Sequence, residues 1–84
     1  MGTSKDDIRE WFKSGIVKGA THLIVVCDTY DWEDYPVYVM PDEDVREKES
    51  KHNNSEKMKK IMEVFNLSIN IEEQITGDRY VRNY

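Results

Sequence analysis

The heptapeptide HLIVVCD, residues 22–28, constrains this chain more than any other stretch. It is a β-branched run bounded by Gly19 and an acidic loop, and it reads as a strand buried on both faces, since a strand with one solvated face would alternate apolar with polar. Such a strand belongs at the centre of a sheet. After the loop, YPVYVM does alternate, with Val37 and Val39 on the face opposite Tyr38 and Met40. Pro36 cannot donate a ladder hydrogen bond, so it marks the start or the edge of that second strand. An antiparallel hairpin of residues 22–28 with 35–40, joined by a six-residue loop, is the economical arrangement.

The sheet needs cover, and the sequence offers it on either side. Ile8, Trp11, Phe12 and Ile16 recur at helical spacing. Thr3 and Ser4 each stand three residues before a carboxylate, Asp6 and Asp7, so a hydroxyl cap opens this helix, and Lys18-Gly19 closes it, giving bounds of about 4–18. Beyond Pro41 an acidic-then-basic stretch predicts a short, solvated helix that Asn53-Asn54 breaks. Ser55 can cap a second amphipathic helix, about 55–65, whose face carries Met58, Ile61, Met62 and Phe65. The expected fold class is α+β: a small antiparallel hairpin-based sheet against two amphipathic helices, as one domain over residues 1–84. Residues 66–84 mix period-two apolars (Leu67, Ile69, Ile71) with a helical pair (Ile71, Ile75), which suits a third strand or a docked arm that serves oligomerisation.

Charge and hydropathy exclude several functions. The longest apolar run, residues 23–27, is far short of the roughly 20 residues that span a bilayer, and no basic segment followed by an apolar one opens the chain. Gly2 after Met1 alone is a poor lipidation signal. With a mean hydropathy of -0.78 and 35% charged residues, a cytoplasmic protein without membrane partners is expected. The net charge of -5 repels phosphate, so duplex nucleic acid is not an expected partner; the one basic stretch, around Lys48 to Lys60, is diluted by Glu47, Glu49, Glu56 and Glu63. A lone cysteine, Cys27, fits a reducing compartment. In a chain this short, oligomerisation is a standard remedy for a small core.

Residues 27–45 gather seven carboxylates and four aromatic rings in nineteen positions. Asp28, Asp31, Glu33 and Asp34 offer oxygen ligands, but no glycine stands at the turn of a calcium loop and no glutamate closes one, so neither metal nor cofactor is expected. His22 and His52 lie thirty residues apart, too isolated for a zinc site. Cys27 and Asp28 point to opposite faces of one strand, which makes Cys27 a buried hydrophobe rather than a nucleophile. No phosphate loop, nucleophile elbow or zinc-protease helix motif occurs, and catalysis, of which metal-assisted hydrolysis is the nearest form, has little support. The aromatics carry more. Tyr30, Trp32 and Tyr35 flank carboxylates in a loop, a composition that favours recognition surfaces, although Trp32 folded back as a lid over the hairpin is the competing reading. The C-terminal GDRYVRNY sets Arg79 and Arg82 beside tyrosines, which suits a subunit interface or an anionic ligand.

The segment GATHLIVVCDTYDWEDYPVYV resembles a group of short proteins encoded by bacteriophages and prophages, and the resemblance extends over about residues 7–75. It implies a small accessory protein that acts by binding host machinery or host antiviral signalling, and it brings no catalytic residue. Two readings follow. In the first, an oligomer encloses a nucleotide-derived immune signal: Tyr30, Trp32 or Tyr35 stacks on the base, Asp28, Asp31 or Asp34 accepts sugar hydroxyls, and Arg79 or Arg82 pairs with phosphate. In the second, the acidic loop caps a basic surface of a host protein as an electrostatic mimic of nucleic acid.

Overall fold

The computed structural model describes residues 4–75 and 82–84. Its elements, in chain order, are α1 (Lys5–Lys18), β1 (His22–Asp28), β2 (Glu33–Val39), α2 (Val45–His52), β3 (Lys59–Asn66) and α3 (Ile71–Ile75). The strands form one antiparallel sheet in the order β2-β1-β3, so the HLIVVCD strand is central, and the fold class is α+β. Leu23 to Cys27 are all buried.

Local chemistry sets the bounds of α1. The Ser4 hydroxyl accepts from Asp7 N at 3.1 Å while the Asp7 carboxylate accepts from Ser4 N at 3.2 Å, a reciprocal capping box. Gly19, at φ 80°, ends the helix in the left-handed conformation that glycine adopts without strain. Ile8 and Phe12 enter the core as expected, and Trp11 packs against it half-buried. Ile16 does not: it is 54% exposed, because Gly15 takes the inward position where the helix comes closest to the sheet.

Two cores result. On one face, α1 and α3 cover Leu23, Val25 and Phe65, with Ile8, Phe12 and Ile75. On the other, Ile24, Val26, Val39, Ile61 and Val64 form a second cluster, against which Val45 of α2 packs. The helix expected at residues 55–65 is a strand, β3, preceded by a turn of 3-10 helix at Ser55–Lys57. A β-bulge explains the error. Val25 pairs with Glu63 but Val26 pairs with Ile61, so Met62 is an extra residue. The bulge turns Ile61 to the same face as Val64, while Met62 and Phe65 both pack on the α1 side. Apolar residues three apart on each face then imitate a helical stripe. Met58, expected in that stripe, lies 46% exposed before the strand.

The hairpin is tighter than expected, since β2 begins at Glu33 and only residues 29–32 form the turn. Pro36 sits on the edge strand opposite Val25. Leu67 N donates to Thr21 O, extending the β1–β3 ladder, so alternate backbone groups of β1, those of Leu23 and Val25, face β3 rather than β2. The missing donor of Pro36 therefore points outward, where it costs no ladder bond and discourages further strand pairing.

The other edge is covered by the C-terminal residues 82–84, a docked arm on the chain's own sheet. Arg82 bridges Val64 in parallel, and Asn83 N donates to Val64 O at 3.0 Å. Gln74, buried in α3, accepts from Asn66 N at 2.9 Å and from the Asn83 amide at 3.0 Å, and donates to Asn66 O and Ile69 O. It ties α3, the end of β3 and the arm together. Among the described residues no helix is long and apolar enough to cross a membrane.

Candidate functional site

The hairpin end of the sheet gathers most of the residues singled out from the sequence. Asp28 closes β1 and its carboxylate turns back: it accepts from Tyr30 N at 2.9 Å and pairs with Lys59 Nζ at 3.1 Å. Those two donors hold the carboxyl below the usual carboxylate range. Lys59 also lies over the Tyr35 ring, 5.0 Å from its centroid. Asp28, Lys59 and Tyr35 thus brace the turn from one face of the sheet, and Asp28 has little left to offer a ligand. On the opposite face Asp34 stands across from Cys27; burial first, then the Asp34 carboxylate, pushes the thiol up. Cys27 is a buried, poorly ionisable sulfur, as its place in the strand implied.

The turn itself projects apolar surface. Tyr30 is 74% exposed and Trp32 is 66% exposed, so Trp32 does not fold back as a lid. Trp32 also holds φ at 58°, in the left-handed region that bulky residues rarely enter, at a cost of about 1–3 kcal/mol. Met58 repeats this at φ 57°, and its carbonyl accepts from Thr29 N at 2.8 Å, which fastens the approach to β3 onto the hairpin turn. Three large apolar side chains are therefore exposed at one end of the sheet, on two left-handed turns tied by a hydrogen bond. Met58 was missed in the sequence because its spacing to Ile61 and Phe65 suggested a core position. Around these groups stand Asp31, Glu33, Asp34 and Glu56, against Lys57 and Lys60.

The predicted arginines lie apart from this end or outside the description. Arg82 belongs to the arm, where its guanidinium donates to Met62 O at 2.7 Å and Ile61 O at 3.1 Å and meets Glu49 at 3.2 Å. These are the carbonyls beside the bulge, so Arg82 completes the edge of β3. Arg79 lies outside the described residues. The Tyr84 hydroxyl donates to Glu49, a hydrogen bond that, ahead of burial, raises the phenol, and Arg46 stacks 4.5 Å from the Tyr84 ring. The arm's tyrosine and arginine hold α2 to the sheet.

Hollows lie elsewhere among the described residues. One, about 310 Å³, sits at the start of α2 among Asp42, Glu43, Asp44, Glu47, Lys48 and Lys51, where Lys48 pairs with Glu43 at 2.7 Å. Another, about 440 Å³, is at the far end of the sheet from the hairpin, between the end of α1 and the residues after β3. Among the described residues no group of three or more His, Cys, Asp and Glu side chains is placed to hold a metal ion. No protein-family model, no curated protein and no solved structure matches this chain.

Proposed function

We propose that this chain is a non-catalytic binding protein that presents the hairpin end of its sheet to a basic surface of another protein, in the manner of a phage accessory protein acting on a host defence component. The observation that carries the reading is the exposure of Tyr30 and Trp32 on a braced turn among carboxylates. Aromatic anchors dominate the energy of protein interfaces, and the surrounding acids supply selection for a cationic partner and speed of encounter. Backbone strain at Trp32 supports it too, since a bulky residue in a left-handed turn is expensive to keep for packing alone. The test is capture from a bacterial lysate on the immobilised chain, beside a Tyr30→Ala/Trp32→Ala chain, followed by competition with duplex DNA. A partner held by the first chain only, and displaced by DNA, supports the reading. Equal capture by both chains refutes it.

Sequestration of a nucleotide-derived signal by an oligomer is the second reading. It is favoured by the cation of Lys57 at the same end as the exposed rings, which would meet phosphate in place of Arg82. Heating the purified protein and finding an intact nucleotide in the supernatant would decide for it.

A further inference from the structure

The two ends of β1 are opposite in character. At the Asp28 end stand the exposed rings of Tyr30 and Trp32 with Asp31 and Glu33 beside them. At the His22 end lies the groove of about 440 Å³, with Ile16, Ala20 and Leu67 as its apolar lining and Thr21, Asn66 and Ser68 as neutral polar neighbours. His22 also lines it, with Nε2 3.0 Å from Tyr84 O, and among the described residues no Asp or Glu side chain does. Alongside, on the outer surface of α1, Val17 is 88% exposed and shares a hollow with Lys13, Ser14 and Lys18. From Trp11 through Cys27 the chain contains two lysines and no acid, whereas from Asp28 through Asp34 it contains four acids and no base.

We propose that the hairpin turn of one copy docks in this groove of the next copy. A ring of Trp32 or Tyr30 enters between Ile16, Ala20 and Leu67, while Asp31 and Glu33 face Lys13 and Lys18. The groove is large enough for an indole, and Lys13 and Lys18, which line the separate hollow on the outer surface of α1, carry the charge that the turn lacks. One molecule cannot satisfy itself, because seven residues of extended strand hold its two ends roughly 20 Å apart. The contact is heterologous: each copy offers a turn to one neighbour and a groove to another, so assembly proceeds head to tail. The inference rests on the turn being a binding surface, and it adds a regulation: a turn buried in a neighbour's groove is withheld from the partner protein.

The experiment is sedimentation velocity at low salt from about 10 μM to 1 mM, concentrations that bracket weak association. A turn variant, Asp31→Lys/Glu33→Lys, and a groove variant, Lys13→Glu/Lys18→Glu, are first shown to melt as the parent does; all four residues are exposed. The parent chain is expected to form species larger than a dimer, and each variant alone to lose association at least tenfold. An equimolar mixture of the two is expected to recover it, since each reversed turn then finds a reversed groove and each native turn a native groove. A mixture that stays monomeric, or a parent that stays monomeric at the highest concentration, overturns the proposal. The groove variant also separates this inference from the proposed function. It keeps the turn intact, so it retains partner capture whether or not the chain self-associates, whereas loss of capture by the groove variant would place the partner site elsewhere.

Discussion

Gly15→Ala weighs two opposed effects of comparable size. In an isolated helix, alanine in place of an interior glycine stabilises by about 0.5–1 kcal/mol. Here a Cβ at residue 15 would lie 2.9 Å from Leu67 Cδ1 and 3.1 and 3.2 Å from two Tyr38 ring carbons. Carbon pairs prefer separations of about 3.5–4.0 Å, so two side chains must yield at once. The Leu67 methyl can swing aside. The Tyr38 ring has less freedom, since it belongs to β2 opposite Leu23 and carries the Lys18 ammonium 5.7 Å from its centroid. Overfilling of this kind costs about 1–3 kcal/mol, which outweighs the propensity gain and leaves a net loss of about 1 kcal/mol. In a domain of this size that lowers the melting temperature by about 4–8 °C. Denaturation followed by circular dichroism gives the answer, with Ser14→Ala as the control, an exposed neighbour that gains propensity without a clash. In a Tyr38→Ala background the two ring contacts are gone and the Leu67 methyl can move, so Gly15→Ala is expected to become neutral or stabilising, a coupling of about 1 kcal/mol. If Gly15→Ala raises stability as Ser14→Ala does, then α1 does not approach the sheet as described.

Phe65 is fully buried between β1 and α1, so Phe65→Ala is expected to cost about 3–5 kcal/mol by urea denaturation. Gln74→Leu leaves Asn66 N, Asn66 O and Ile69 O without their partner, and a loss of about 2 kcal/mol or more is expected in the same assay. Trp32→Gly removes an exposed ring and relieves a left-handed φ, so stability should hold or rise by up to about 1 kcal/mol although partner capture is lost; a fall of several degrees in melting temperature would mean that the indole packs. Acid should destabilise the fold. Asp28, held by Tyr30 N and Lys59, Glu43, held by Lys48, and Glu72, held by Arg9, all have carboxyls below their ordinary values in the folded state. Their contribution is complete above the ordinary carboxylate value near pH ~4 and is lost as pH falls through the depressed folded values; a melting temperature that rises on acidification from pH ~5 to ~3 would contradict this.

The sequence was most legible where one local cause fixed the structure. Ser4, Asp7 and Gly19 mark α1 because capping is settled within a few residues, and HLIVVCD marks a central strand because only a doubly covered strand tolerates five buried residues in succession. Legibility failed at β3. The bulge at Met62 is a property of pairing with β1, and pairing is not written in the spacing of Met58, Ile61, Met62 and Phe65, which is the spacing of a helix. What could have warned is residue type: Ile61, Val64 and Phe65 are β-branched or aromatic in a stretch of only eight residues. The candidate site was legible in part. Tyr30, Trp32, Asp31 and Asp34 do gather at one end of the sheet, while Asp28 is drawn inward by Lys59, a residue thirty-one positions away. The contacts of Arg82, with the carbonyls beside the bulge and with Glu49, are not legible in the sequence because they depend on how the arm docks.

The central claim is that the exposed rings of the hairpin turn do the binding. Isothermal titration of the captured partner against the parent chain and against Tyr30→Ala/Trp32→Gly measures this most directly, since neither side chain supports the core. Two aromatic hot spots at about 2 kcal/mol each amount to a loss of roughly a thousandfold in affinity at an unchanged melting temperature, and that is the expected result. Affinity within threefold of the parent, with the fold intact, would contradict the claim.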